Sequence, residues 1–169
     1  MPSFVSFIPT PPEDISAFFD LAPLSAADVV YDLGSGDGRL LFAALERGAG
    51  RAVGVELDPV RINEARINAA SKGLADRVTF VESDVMNADL SGATVVVCYL
   101  ITAASITLKP KFQLELKPGT RVVMESFPVP GWKPAETRTE GYKTFYLYKM
   151  PPEPTTETSP ESLYPEYWL

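Results

Sequence analysis

The chain has 169 residues, of which 46% are hydrophobic, and this fits one folded domain with a full core and excludes wholesale disorder. It has no histidine, which removes the usual base at neutral pH, the Ser-His and Cys-His nucleophile pairs and the commonest zinc ligand. The net charge of −7, without a dense basic run, disfavours nucleic acid and suits a cationic substrate.

No apolar run reaches the roughly 20 residues of a membrane span, and the first ten residues carry no basic leader pattern. The single cysteine, Cys98, excludes an internal disulfide and is typical of a reducing compartment. We therefore expect a cytoplasmic protein without a membrane span, and a monomer.

The middle of the chain alternates strands and helices, which predicts a mostly parallel sheet. A capping box is predicted at the first helix, with Thr10 as cap, Pro11 at the first helical position and Glu13 three residues on. Later elements are strands over 29–33, 52–57, 78–82, 94–100 and 121–125, helices over 39–47 and 58–73, and a helical segment broken at Pro110.

Two further short strands, 136–140 and 143–148, are separated by Gly141-Tyr142 and predict an antiparallel hairpin at the sheet edge. We expect one domain over 1–150, followed by a flexible tail over 151–169 that is rich in Pro, Glu and Thr. The aromatic end of this tail, 164–169, either packs on its own domain or contacts a partner.

Acidic residues lie at or near the ends of three successive predicted strands. Asp32 precedes a turn with glycines at 34, 36 and 38, Glu56 ends the second strand, and Asp84 follows the third. Ligands of open α/β sheets bind beyond the carboxyl ends of the strands. Each acid alone has an ordinary alternative, namely a turn cap for Asp32, a solvated strand end for Glu56 and a turn start for Asp84. The three together indicate a ligand site.

The glycine turn departs from the dinucleotide fingerprint G-x-G-x-x-G/A, because its third glycine comes one position early and Arg39 follows. A pyrophosphate would also face Asp32 and Asp37, whose charges oppose it. A cationic nucleoside cofactor removes this conflict. S-adenosyl-L-methionine carries a sulfonium, an ammonium, a ribose diol and an adenine amine, which carboxylates can all bind, and Glu56 is spaced for the ribose.

The segments 32–38, 54–56 and 82–84 resemble the three cofactor motifs of class I S-adenosylmethionine-dependent methyltransferases. The resemblance implies a Rossmann-like seven-stranded α/β fold, mostly parallel with an antiparallel edge. It also implies that the turn from Gly34 to Gly36 lies under the methionine part, that Glu56 holds the ribose, and that Asp84 with the Val85 amide binds adenine.

A narrower resemblance over residues 7–149 is to the small archaeal protein lysine methyltransferases, which are similar to mitochondrial ones. It rests on Phe7-Ile8-Pro9-Thr10-Pro11, on 30–34, 108–111 and 115–123, and on Gly131-Trp132. It implies that 1–28 closes the cofactor pocket through Pro9, Thr10 and Pro11. The complete expected cofactor set is Thr10, Pro11, Asp32, Gly34, Ser35, Gly36, Glu56, Leu57, Asp84, Val85 and Tyr99.

This sequence departs from the narrower family near the expected methyl acceptor. Ala103-Ala104 stands where relatives carry asparagine, and the strand end at 124–126 has no histidine. Tyr99 is the candidate catalytic residue beside the acceptor channel, with an aromatic wall without a chemical role as the alternative. Three interpretations remain: a protein lysine methyltransferase, which is favoured, a methyltransferase for a small molecule or RNA, and a non-catalytic cofactor-binding module.

Overall fold

The computed structural model describes residues 9–99 and 103–155 of the chain. The helices in these ranges are α1 (Pro12–Leu21), α2 (Arg39–Glu46), α3 (Pro59–Ser71) and α4 (Ala103–Glu115). The strands are β1 (Val29–Leu33), β2 (Arg51–Glu56), β3 (Val78–Glu82), β4 (Val95–Cys98), β5 (Arg121–Glu125), β6 (Trp132–Lys133), β7 (Glu136–Glu140), β8 (Lys143–Lys149) and β9 (Glu153–Pro154).

Seven strands form one sheet in the order β3-β2-β1-β4-β5-β8-β7. The first five strands of this order are parallel, while β8 runs antiparallel to β5 and β7 antiparallel to β8. The order reverses between β1 and β4, so the ligand crevice of an open α/β sheet is expected beyond the ends of these strands. The predicted Rossmann-like fold with an antiparallel edge hairpin is confirmed.

Apolar layers cover both faces of the sheet. One layer includes Phe18, Leu41 and Ile62 from α1, α2 and α3, and the other includes Leu108 and Phe112 from α4. All four residues of β4 are buried, as expected for a parallel strand covered on both faces. The core therefore fixes the strand ends that carry the candidate site residues.

The predicted cap of the first helix is wrong. The N-cap is Pro11, α1 begins at Pro12, and no side chain caps the helix. A residue that precedes proline is driven out of the helical region, so Pro11 adopts an extended conformation and cannot be the first helical residue. Thr10 consequently lies outside the helix and is buried rather than used as a cap.

The predicted break at Pro110 is also wrong, because α4 is continuous from Ala103 to Glu115 with Pro110 inside it. Proline within a helix costs about 3 kcal/mol. Leu108 and Phe112 lie on either side of Pro110 and are fully buried against the sheet. Their burial stabilises the helix by an amount comparable to the cost of the proline.

The start of the predicted tail belongs to the folded part of the chain. Glu153 and Pro154 form β9, which pairs antiparallel with β6 at Lys133 and Trp132. Residues 156–169, including the aromatic end, lie outside the described residues, as do Phe7, Ile8 and the predicted strand end at 100. No helix among the described residues is long and apolar enough to cross a membrane.

Candidate cofactor and acceptor site

The turn between β1 and α2 needs its glycines, because Gly34, Gly36 and Gly38 have φ values of 85°, 54° and 86°. This left-handed region is open to glycine and strained for most other residues. The amides of Gly34 and Ser35 both donate to the Val55 carbonyl, at 2.8 and 3.1 Å. The turn is therefore fixed against β2 and presents a rigid backbone at the carboxyl edge of the sheet.

Gly54 on β2 makes room for this turn, a role that the sequence interpretation missed. A Cβ atom at Gly54 would lie 2.5 Å from the Ser35 Oγ and 2.8 Å from a Leu41 methyl group. The Ser35 side chain is buried on β2, and its Oγ has no hydrogen-bond partner among the described residues. The signal was present in the sequence, because a glycine inside a strand pattern often marks close backbone approach.

Glu56 at the end of β2 is held in place by backbone amides. Its Oε1 accepts from the Gly36 amide at 3.0 Å, and its Oε2 accepts from the Leu57 and Asp58 amides at 2.6 and 3.0 Å. A carboxylate has about four acceptor positions, so the three amides leave capacity for a further donor such as a ribose hydroxyl. The Leu57 side chain beside it is 53% exposed.

Asp32, one residue before the end of β1, carries a buried carboxyl group. Burial, together with the charges of Glu56 and Asp37, raises the pKa of Asp32 to about 8. A nearby cation would reverse this shift by favouring the ionised form. The carboxyl groups of Asp32 and Glu56 fit the ammonium and sulfonium of S-adenosylmethionine and do not fit a pyrophosphate.

Asp37 differs from the expectation that its charge faces the ligand. Its carboxylate forms an ion pair with Arg39, with 2.6 Å between Oδ2 and Nη2. Burial raises the pKa of Asp37, but the hydrogen bonds from Arg39 outweigh burial and lower it overall. The Glu56 carboxylate therefore opposes an anion at this turn, whereas Asp32, with its raised pKa, is charged at neutral pH only beside a cation.

Asp84 begins a tight turn, as its ordinary alternative predicted. Its Oδ1 accepts from the Met86 amide at 2.9 Å, and its carbonyl accepts from the Asn87 amide at 3.0 Å. The turn follows β3, whose last residue pairs in register with Glu56. Asp84 is exposed and Val85 packs at the edge of the core, so both lie on the same sheet edge as the glycine turn and Glu56.

Thr10 lies beside the glycine turn. It lines a cavity of about 400 Å³ that extends along α1 and α2 to the end of α3, and Asp37 of the glycine turn also lines this cavity. Pro11, which is half-buried, leads from Thr10 into α1. None of the other described cofactor candidates lines this cavity, so the cofactor role of Thr10 and Pro11 stays a prediction.

Tyr99 follows β4 and belongs to a buried polar cluster that the sequence interpretation missed. Its hydroxyl oxygen accepts from the Lys143 ammonium at 2.9 Å, and Lys143 also forms an ion pair with the buried Asp14 of α1. The buried Glu125 at the end of β5 accepts from the Ser126 hydroxyl. The sequence held a partial indication of this cluster, because Asp14 is an acidic residue on the otherwise apolar face of the first helix.

We call the group of Asp14, Tyr99, Glu125 and Lys143 the acceptor cluster. Burial and mutual contacts shift the pKa values of its members. Burial lowers the pKa of Lys143, but its hydrogen bonds to Asp14 and Tyr99 outweigh this effect and raise it overall. Burial raises the pKa of Glu125, with Ser126 and Lys143 acting in the opposite direction. Lys143 is thus a fixed cation among carboxyl groups at neutral pH.

The fold and the donor set at the glycine turn define an S-adenosylmethionine-dependent methyltransferase. A Salinibacter ruber protein described as an RNA methyltransferase, solved with S-adenosyl-L-homocysteine, superposes with a TM-score of 0.84 at 38% identity, covering 90% of this chain and 99% of that one. A Geobacter sulfurreducens S-adenosylmethionine-dependent methyltransferase, also solved with S-adenosyl-L-homocysteine, superposes with a TM-score of 0.58 at 25% identity. The match covers 75% of this chain and 51% of that one.

The model of the ANTKMT methyltransferase domain matches residues 32–136, and the chain belongs to this family. A protein-lysine N-methyltransferase of Saccharolobus islandicus is 43% identical over 78% of this chain and 83% of that protein. The mouse adenine nucleotide translocase lysine N-methyltransferase is 35% identical over 72% of this chain. The chain covers only 53% of that mouse protein.

Proposed function

We propose that this protein transfers methyl groups from S-adenosylmethionine to lysine side chains of proteins. The observation that carries the acceptor class is the acceptor cluster, which places the carboxyl groups of Asp14 and Glu125 and the hydroxyl of Tyr99 at the edge where β4 and β5 end. Asp14 is already paired with Lys143, so the Glu125 carboxyl group and the Tyr99 hydroxyl are the groups that suit a side chain arriving as a cation. The named activity of the Saccharolobus islandicus relative supports the same class.

On the cofactor side, each expected residue has a stated task. The backbone from Gly34 to Gly36, with Ser35, lies under the methionine part, and the Asp32 carboxylate balances its positive charge. Glu56 accepts from the ribose hydroxyls beside Leu57, while Asp84 and the Val85 amide bind adenine. Thr10 and Pro11 close the methionine end. When bound, the cofactor supplies an activated methyl group on a sulfonium.

On the acceptor side, the chain's residues align the amine and exclude water. In-line transfer to nitrogen needs the lone pair of a neutral amine, and the reference pKa of lysine is about 10.4. Burial next to the Lys143 ammonium and the cofactor's charge lowers the pKa of an arriving lysine. Tyr99 forms the wall of the channel, and no histidine is required for this chemistry.

RNA is the second candidate acceptor, because the Salinibacter ruber protein that matches over 90% of this chain is described as an RNA methyltransferase. The charge of −7 argues against it, since proteins bind nucleic acids largely through basic surfaces. A small-molecule acceptor is the other alternative. Location in the cytoplasm and a monomeric state stay predictions.

One labelling experiment separates these acceptors. The purified protein is incubated with methyl-labelled S-adenosylmethionine and, in parallel, a lysine-rich protein mixture, total RNA and a low-molecular-weight cell extract. We expect label on protein and, after hydrolysis, methylated lysine. Label on RNA or on small molecules would overturn the proposal. Binding of S-adenosylhomocysteine without transfer to any of the three would instead favour a cofactor-binding module.

A further inference from the structure

The contact between Tyr99 and Lys143 joins three distant parts of the chain. Lys143 opens β8, 44 residues after Tyr99 and 129 residues after its ion-pair partner Asp14 in α1. Val97, Val123 and Phe145 belong to the apolar layer under α1. Side chains two residues apart share a face of a strand, so Tyr99, Glu125 and Lys143 lie on the same face of the sheet as that layer, at its acceptor edge.

The hydrogen bond has only one possible direction. An ammonium has three donors and no acceptor, so Lys143 donates to the Tyr99 oxygen at 2.9 Å, and the phenol's own proton points away from Lys143. The ammonium also lies 5.3 Å from the centre of the Tyr99 ring. These two contacts fix both the position of the phenol oxygen and the direction in which its O–H group is offered.

Asp14 fixes Lys143 in turn. Its side chain is 3% exposed and that of Lys143 is 14% exposed, so neither has the freedom of a surface ion pair. The hydrogen-bonded series therefore runs from the buried Asp14 carboxylate through the Lys143 ammonium to the hydroxyl of Tyr99. The orientation of the Tyr99 hydroxyl matters because a small misplacement of a positioning group can slow a reaction by about 100-fold.

We infer that Lys143 is a positioning residue, anchored by Asp14, that orients the Tyr99 hydroxyl in the acceptor site. This inference rests on the proposed function, since it gives Tyr99 a task toward the methyl acceptor. The competing interpretation is a structural ion pair that only ties α1 to the β7–β8 hairpin. The two differ in whether the effect of Lys143 passes through Tyr99.

A double-mutant cycle tests this difference in the Asp14→Asn background, where the new amide oxygen can still accept from Lys143, and removal of Lys143 leaves no unpaired buried carboxylate at position 14. Lys143→Met and Tyr99→Phe are introduced singly and together, and kcat is measured on a lysine-containing protein at saturating S-adenosylmethionine. We expect Lys143→Met to lower kcat about 10-fold when Tyr99 is present and to have no further effect after Tyr99→Phe. Affinity for S-adenosylhomocysteine should stay within twofold between each Lys143→Met variant and its parent.

Equal losses from Lys143→Met in both backgrounds would overturn the inference, and so would an unchanged kcat in Tyr99→Phe. Lys143→Arg keeps a cationic donor and should recover most of the activity, whereas a rate as low as that of Lys143→Met would count against positioning. The ¹³Cζ chemical shift of Tyr99 gives a readout without turnover, and it should move in Lys143→Met.

Failure of the proposed function gives a different result. If the wild-type protein labels RNA or a small molecule rather than lysine, the lysine acceptor is wrong, and the same cycle is then run on the acceptor that carries label. If it labels nothing, the Tyr99 chemical shift decides whether Lys143 holds the phenol. An unchanged shift in Lys143→Met overturns the inference in either case.

Discussion

The cofactor half and the acceptor half of this site are built in different ways. Around the glycine turn, the Glu56 carboxylate is held by backbone amides, each no more than 20 residues away in sequence. In the acceptor cluster, side chains hold side chains, and the contact between Asp14 and Lys143 spans 129 residues. The cofactor half therefore depends on local backbone geometry, while the acceptor half depends on the topology of the whole sheet.

Among the proposed variants, loss of the Lys143 charge should have the largest effect on stability. Lys143→Met leaves Asp14 buried and unpaired, and breaking a buried pair in this way costs about 3–5 kcal/mol. Urea unfolding measures the loss. The double variant Asp14→Asn/Lys143→Met removes both charges and should recover most of it. A double variant as unstable as the single one would show that the pair is not what holds the acceptor half.

Loss of Glu56 should instead affect binding and leave the fold intact. Hydrogen bonds to a charged group contribute about 1.5–3 kcal/mol, so Glu56→Ala should weaken S-adenosylhomocysteine binding about 10- to 100-fold. Its unfolding free energy should fall by only about 1–2 kcal/mol, because Leu57 and Asp58 are exposed and their freed amides can reach water, while Gly36 is buried. Calorimetry measures the affinity. The control Glu64→Ala on α3 removes the same charge from an exposed position and should bind normally.

The two halves also differ in how far the sequence could predict them. The turn at Gly34, Gly36 and Gly38 was predictable because only glycine adopts its backbone readily, and the acids at strand ends follow from the strand pattern. The pairing of Asp14 with Lys143 was not, because it depends on which strands of the sheet lie under α1. Thr10 was misassigned for a local reason, since the consecutive prolines shift the helix start by one residue.

The pKa of Asp32 gives the cofactor half a pH dependence. In the free protein Asp32 titrates at about 8, against 3.8 ordinarily, so the folded state holds a proton that the unfolded state has lost. Its contribution to stability is full below pH ~4 and is lost as pH rises through ~8. The slope of unfolding free energy against pH should therefore be flatter in Asp32→Asn.

Cofactor binding should show the opposite trend. A bound positive charge favours ionised Asp32, so binding releases a proton below pH ~8 and affinity should rise with pH by up to about 10-fold per unit. Calorimetry with S-adenosylmethionine, which carries the sulfonium that S-adenosylhomocysteine lacks, measures this change at pH 6 and 7. Asp32→Asn should remove the slope, and a wild-type affinity independent of pH would contradict a charge-balancing role for Asp32.

The smallest effect is expected at Tyr142, the neighbour of Lys143 in the hairpin turn. Its side chain is 93% exposed, and its ring lies 5.7 Å from the Lys143 ammonium. Tyr142→Ala should change the unfolding free energy by no more than about 0.5–1 kcal/mol, the size of an exposed cation–π contact. This variant is the matched control for Lys143→Met, because both alter the same turn but only one unpairs Asp14. If Tyr142→Ala lost as much stability as Lys143→Met, the hairpin turn itself, rather than the buried ion pair, would hold the acceptor half together.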